Sequence, residues 1–300
     1  MRYLPTSKLT PGMALGQDIY DGAGRLLLAK HLLLSEEYIS NLEFLGFPGI
    51  YIDDEFTQGI EIQQVLNPQV RSQALKVVHD MFAFDVASDA EEDMPVSEIK
   101  IQKTIERIVE NILSNGDIMC NVLDIKNYDD YIYYHSINVA MMSVLLGANY
   151  GMNEESLYQL TTAAILHDIG KIAVPDAVLN KPSRLTDGEY ELMKKHTIWG
   201  KEILAGLEFL PQADMGAAYH HERFDGKGYP YGIKGDKIPD IVRIISAADS
   251  LDAMSSNRCY RRHCDKDYII SEFEKGAGTQ FDADVAQVVV ELIKEGRIIL

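Results

Sequence analysis

Apolar and polar positions follow two rhythms along the 300-residue chain. Up to about residue 54 the apolar runs are short and bounded by turn formers at Pro11-Gly12, Asp21-Gly22, Gly24 and Pro48-Gly49, which is the pattern of strands. Residues 18–20, 26–28 and 50–52 read as strands. Between the last two, Ser35 followed by Glu36 and Glu37 opens a short helix with Ile39, Leu42 and Leu45 at helical spacing. Residues 1–58 are therefore expected to form a small α+β, β-rich module with a structural, sensory or dimer-forming role. It holds no cluster of His, Cys and Asp, and His31 reads as a surface or turn residue.

Beyond the module the spacing is helical almost throughout. Residues 60–84 carry Val65, Val70, Leu75, Val78 and Phe82. The acidic run over 85–98 reads as a solvated loop, and Ile99, Ile105, Ile108, Val109 and Ile112 resume the helical period. Residues 59–119 are read as a helical connector whose two helices also offer a surface for a homodimer. Residues 120–300 read as a helical bundle. Its segment 132–148 is apolar on most sides and central, and Asn153 starts a helix that runs to His167. Thr186 and Glu189 form a capping box; on the helix they open, Leu192, Met193, His196, Trp199 and Ile203 share a face. Pro211 opens a helix ending at His220-His221, and Pro239 opens one that places Asp249 beside an apolar stripe of Ile241, Ile244, Ile245 and Ala248. The fold class expected is mainly α, a helical bundle preceded by the small α+β module and connecting helices.

A hydrophobic content of 46% provides for a real core, and a formal net charge of −18 excludes a broad electrostatic grip on nucleic-acid backbone. A small phosphate-bearing ligand remains open if metal ions and a few local cations offset the acidic field. Three cysteines, Cys120, Cys259 and Cys264, suggest neither a disulfide framework nor a structural zinc site. The first ten residues carry Arg2, Pro5 and Lys8 and lack the apolar core of a signal peptide. The most apolar stretch, 139–146, is far shorter than a membrane span. The expectation is a cytoplasmic protein with no membrane partner.

The chemistry concentrates around Leu166-His167-Asp168-Ile169-Gly170-Lys171, where an imidazole and a carboxylate stand side by side at the end of an apolar helix. Alone this is a common dipeptide, and a helix cap with Gly170 turning the chain would account for it. His135 upstream and His196, His220, His221 and Asp249 downstream also lie in segments that read as core helix. So many buried imidazoles need hydrogen bonds or a metal. Five histidines and two aspartates exceed one tetrahedral ion and suit two divalent ions sharing a carboxylate, for which Asp168 is the candidate. Such a pair suits phosphoester hydrolysis. Lys171, one helical turn beyond Asp168, would neutralise a phosphate or help protonate the leaving oxygen; a plain surface lysine is the alternative.

His135, then His167-Asp168-Ile169-Gly170-Lys171, His196, His220-His221-Glu222-Arg223-Phe224-Asp225-Gly226-Lys227-Gly228-Tyr229-Pro230 and Asp249 together resemble the HD-GYP family of bacterial phosphodiesterases, over roughly residues 120–300. The resemblance implies an all-helical HD-superfamily domain that hydrolyses the messenger cyclic di-GMP to the linear dinucleotide, to GMP, or to both. It implies His135, His167, Asp168, His196, His220, His221 and Asp249 as ligands of two divalent ions, Fe or Mn first, with Zn, Ni, Co and Mg left open. Lys171 and Asp168 take the catalytic roles. Lys171, Tyr229, Arg258 and Arg261 contact substrate: Tyr229 offers a ring for stacking, and guanidinium groups suit both phosphate and guanine. The Gly228-Tyr229-Pro230 loop is also where the family meets signalling-protein partners. Two departures stand out. Tyr131 replaces the glutamate that supplies a third ion in some members, so two ions are expected, and Cys259 stands where proline is common. The alternatives are an HD-type hydrolase of another nucleotide, mixed cyclic dinucleotides included, and a non-catalytic receptor for the messenger.

Overall fold

In the computed structural model, the residues described are 1–20, 25–45, 47, 49–54, 66, 68–82, 98–114, 120–121, 131–181, 183–205, 207, 209–255 and 265–299. Four short strands, β1 (Arg2–Pro5), β2 (Ala14–Leu15), β3 (Ile19–Tyr20) and β4 (Leu26–Leu28), precede helix α1 (Glu36–Phe44) and strand β5 (Gly49–Asp53). β5 is the middle strand of an antiparallel sheet ordered β1-β5-β2, with Arg2 opposite Ile52 and Ala14 opposite Asp53. β3 and β4 pair with each other. The Ser35 hydroxyl accepts the Tyr38 N–H at 3.1 Å, and Glu36 and Glu37 occupy the first turn, so α1 begins where the sequence signals it. Leu15, Ile19, Leu34, Leu42, Ile50 and Ile52 bury one small core among these elements. β1 and β2 have no alternation of their own to announce them; pairing with β5 makes them strands.

Helices α2 (Pro68–Phe82) and α3 (Glu98–Ser114) follow. Their apolar faces, Leu75, Val78 and Met81 on the first and Ile101, Ile105, Ile108 and Ile112 on the second, belong to one continuous core with the helices beyond. The acidic stretch 85–97 lies outside the described residues, as do residues 60–65 and 83–84 at the ends of the expected helix. Strand β6 (Cys120–Asn121) pairs in parallel with β7 (Ile298–Ile299), tying the start of the bundle to the end of the chain.

The bundle is built on α4 (Tyr131–Tyr150), which buries Ile137, Val139, Met142, Val144 and Leu146 and is apolar on nearly every side. α5 (Glu154–Leu166) packs along it, N-capped by Asn153, whose side chain accepts the Ser156 N–H at 2.9 Å. A 3-10 turn over Ile169–Ala173 leads to α6 (Asp176–Leu179), α7 (Asp187–Lys194) with the Thr186–Glu189 capping box, and α8 (His196–Leu204). The single helix expected through His196 is thus broken at Lys195 into two. α9 (Ala213–Tyr219) begins two residues after Pro211, because Gln212 is in the left-handed region at φ 65°. α10 (Asp240–Ser255), α11 (Lys266–Gly276) and α12 (Ala283–Lys294) complete a mainly α fold. Among the described residues no helix is long and apolar enough to cross a membrane.

Gly170 departs from its expected role. Its φ is not positive; instead a β-carbon there would lie 1.9 Å from the His196 carbonyl oxygen and 2.4 Å from the Gly200 nitrogen. Glycine is required because the 3-10 turn lies directly against the first turns of α8, which draws Asp168 and His196 together.

Candidate metal centre

Five helices and the turns that follow two of them supply the polar side chains that meet inside the bundle. His135 projects from α4, His167 caps the C-terminus of α5, Asp168 follows it, His196 opens α8, His220 caps α9, His221 comes next, and Asp249 lies on α10. His135, His167, Asp168, His196 and His220 are buried. Asp249, at 16% side-chain exposure, and Lys171, at 23%, reach toward solvent and mark the mouth.

Each of four imidazoles has its Nδ1 held from outside the cluster. His167 Nδ1 donates to the Ala164 carbonyl at 2.7 Å and His196 Nδ1 to the Met193 carbonyl at 2.7 Å. His220 Nδ1 shares the Gly216 and Ala217 carbonyls at 3.0 and 3.1 Å, and His135 Nδ1 donates to the Asp252 carboxylate at 2.7 Å. Carbonyl and carboxylate oxygens only accept, so Nδ1 carries a proton and each ring turns its Nε2 inward. The Nε2 atoms of His135 and His167 are 3.3 Å apart, as are those of His196 and His220.

Asp168 sits between the two pairs. Its Oδ2 is 3.5 Å from His135 Nε2 and 3.4 Å from His167 Nε2; its Oδ1 is 3.5 Å from His196 Nε2 and 3.7 Å from His220 Nε2. Oδ1 is buried and receives no hydrogen bond. Inward-facing Nε2 atoms around an orphaned carboxylate oxygen form a donor set that a cation can satisfy. Among the described residues, three sets bring their ligand atoms within 4.8 Å of one another: His196, His220 and His221; His135, His167 and Asp249; and His167, Asp168 and His220. The first two sets share no residue, and the third joins them through Asp168. Donors of this kind, imidazole and carboxylate without thiolate, fit divalent first-row metals.

The electrostatics follow from this crowding. Burial would raise the Asp168 carboxyl, but Lys171 and the imidazoles of His167 and His135 outweigh it and hold it well below the usual carboxylate range. Asp249 is likewise held down against burial, chiefly by His135. Burial lowers His196 and His220, with repulsion from neighbouring cationic forms adding to it, and takes His221 to about 3. His135 moves the other way: burial opposes its charge, yet Asp168, Asp249 and Asp252 together raise it well above the ordinary imidazole value.

The loop after His221 forms one wall. Glu222 is buried and its Oε1 accepts the N–H groups of Tyr231 at 2.8 Å and Gly232 at 3.0 Å. Arg223 grips Asp225 at 3.1 and 2.9 Å, and Asp225 N–H donates to the Thr279 carbonyl at 2.8 Å, docking the loop on the turn before α12. A β-carbon on Gly228 would come within 2.4 Å of the Arg223 nitrogen, so only glycine lets the chain double back. The Tyr229 ring consequently stacks on His221, centroids 4.7 Å apart at 29°, with Lys194 Nζ 5.6 Å from its centroid. Lys171 forms an ion pair with Asp168 Oδ2.

All seven expected ligands, Lys171 and Tyr229 are thus brought to one place. Arg258, Arg261 and Cys259 lie outside the described residues, and so does the side chain of Tyr131. Sequence reasoning missed Asp252, Asn138 and Glu222. Asp252 lies one turn after Asp249 on the same apolar helix, a signal that was there to read.

The model of the HD domain family matches residues 119–285, and the chain belongs to that family. A "Cyclic di-GMP phosphodiesterase" of Thermotoga maritima is 36% identical over 203 residues, which are 65% of this chain and 54% of that protein. A "3'3'-cGAMP-specific phosphodiesterase 2" of Vibrio cholerae is 35% identical over 159 residues, 52% of this chain and 30% of that protein. The chain therefore spans about half the length of the first relative and under a third of the second. Among solved structures, Bd1817, a HDG"Y"P protein from Bdellovibrio bacteriovorus, matches with a TM-score of 0.64 over 98% of this chain and 99% of that one, at 16% identity. That likeness is one of fold.

Proposed function

We propose that the chain is a metal-dependent phosphodiesterase that hydrolyses cyclic di-GMP to the linear dinucleotide, onward to GMP, or both. The observation that carries the reading is the pair of disjoint ligand sets joined by Asp168, with Lys171, ion-paired to Asp168 Oδ2, at their edge. His135, His167, Asp168 and Asp249 would hold one divalent ion and His196, His220, His221 and Asp168 the other. The donor set suits Fe or Mn, and leaves Zn, Ni, Co and Mg open. When bound, such ions supply Lewis-acid chemistry, neutralising phosphate charge and acidifying water.

The chain's own residues do the rest. Lys171 faces the same carboxylate that joins the two sets, which places its ammonium to meet a phosphate oxygen and to give a proton to the leaving ribose oxygen as the P–O bond breaks. The Tyr229 ring, buttressed by His221, offers a face to a base. Arg258 and Arg261 complete the substrate contacts in this reading. The hydrolase occupies residues 120–300, residues 59–119 connect it to a module at 1–58, and the Gly228-Tyr229-Pro230 loop is available to a signalling partner. A messenger substrate carries a cytoplasmic location with it.

A second reading keeps the site and changes the substrate to a mixed cyclic dinucleotide, favoured by the Vibrio cholerae relative named for 3′3′-cGAMP. Incubating Mn2+-loaded protein with cyclic di-GMP, 3′3′-cGAMP and a nucleoside triphosphate, followed by product chromatography, separates the cases. The proposal expects cyclic di-GMP to be consumed fastest. Faster turnover of 3′3′-cGAMP installs the second reading, and binding without product leaves a receptor.

A further inference from the structure

The His135 ring is clamped between two carboxylates that lie one turn apart on α10. Asp249 Oδ1 is 3.2 Å from its Nε2, and Asp252 Oδ2 is 2.7 Å from its Nδ1. Asp252 is buried, and its second oxygen accepts Asn138 Nδ2 at 2.9 Å. Asn138 lies one turn beyond His135 on α4, so two residues of one helix and two of the other interlock. Asp252 stands on the far side of the ring from the ligand atoms and belongs to none of the three ligand sets.

The other three oriented imidazoles lean on backbone carbonyls, which carry no net charge. His135 alone leans on a buried carboxylate. A carboxylate behind an imidazole fixes the proton on Nδ1, sets the ring plane and makes Nε2 a stronger electron donor. Burying a carboxylate is costly unless it is hydrogen-bonded, and His135 and Asn138 hold the two Asp252 oxygens at 2.7 and 2.9 Å.

We infer that Asp252, held by Asn138, is a positioning residue that strengthens one of the two metal positions, the one formed by His135, His167 and Asp249, and leaves the His196, His220 and His221 position unaffected. The inference rests on reading the cluster as a metal centre. Its consequence is ordered loading: the Asp252-backed position fills first.

The test is Mn2+ titration of the apo full chain by calorimetry, with metal content after gel filtration and the unfolding midpoint of the apo protein measured in parallel. Wild type should show two binding events of unequal affinity. In Asp252→Asn the tighter event should weaken by about 10–100-fold, the weaker event should stay where it was, and retained metal should fall from two ions toward one. Asn138→Ala, which leaves the carboxylate but removes its second partner, should shift the same event in the same direction by less, and it decides the matter if Asp252→Asn does not fold. Equal weakening of both events, or no change in either while only the apo midpoint falls, makes Asp252 a structural residue and overturns the inference. A wild type that binds no Mn2+ overturns the metal-centre reading itself, and this inference with it.

Discussion

Replacing Gly170 by alanine is the smallest change that should dismantle the site without touching a ligand. The added methyl would sit 1.9 Å from the His196 carbonyl oxygen, about 1.1 Å inside the 3.0 Å closest approach that real β-carbons keep. The obstacles are backbone atoms of α8, at His196 and Gly200, so no side-chain rotation relieves the clash. The 3-10 turn must move away from α8 by roughly an ångström, carrying Asp168 from His196 and His220. Their present separations from Asp168 Oδ1 are 3.5 and 3.7 Å, and metal–ligand distances tolerate only about 0.2 Å. Overpacking of this kind costs about 1–3 kcal/mol of stability, which a domain of this size survives. Gly170→Ala should therefore stay folded by circular dichroism, unfold several degrees earlier, and lose both retained metal and phosphodiesterase turnover. A folded variant with two ions and undiminished turnover would refute the close-packing argument.

Other perturbations separate the roles within the site. His167→Ala and Asp168→Ala should abolish turnover and lower bound metal by elemental analysis, whereas Lys171→Ala should keep its metal and slow turnover by about 10²–10⁴-fold. Glu222→Ala removes the acceptor for two backbone N–H groups; with about 1–3 kcal/mol per unsatisfied buried group, the loop bearing Tyr229 should loosen, raising KM more than it lowers kcat. Glu189 is held at about 2, first by Lys181 and then by the Thr186 N–H and hydroxyl. Because that value is depressed, its contribution to the α7 cap is present above the ordinary glutamate value of 4.5 and fades as pH falls toward 2. Carboxyl NMR titration should show Glu189 rising toward its ordinary value in Lys181→Met; an unchanged value would assign the shift to the cap alone.

Helix positions and the ligand residues were legible because imidazoles on otherwise apolar faces are conspicuous: His135 within the apolar run of α4 and His196 beside Trp199 need a reason to be there. What the pattern hid was geometry between elements. Gly170 reads locally as a helix stop, and only the approach of α8 reveals why it has no side chain. Lys195 interrupts a periodicity that continues across it, since the residues on either side still bury the same face. The spacing sets Asp252 one turn after Asp249, but only the placement of α4 shows that its partners are His135 and Asn138. Nothing in the periodic stripes of α2 and α3 names their packing partner, and their apolar faces share one core with α4 and α5.

The central claim is that seven side chains from five helices and their adjoining turns hold two cations joined by one carboxylate. Anomalous scattering from crystals of the Mn2+-loaded protein tests it most directly. The account predicts two peaks per chain, one among His135, His167 and Asp249, the other among His196, His220 and His221, with Asp168 touching both. A single peak, peaks elsewhere, or an Asp168 that contacts neither would contradict it.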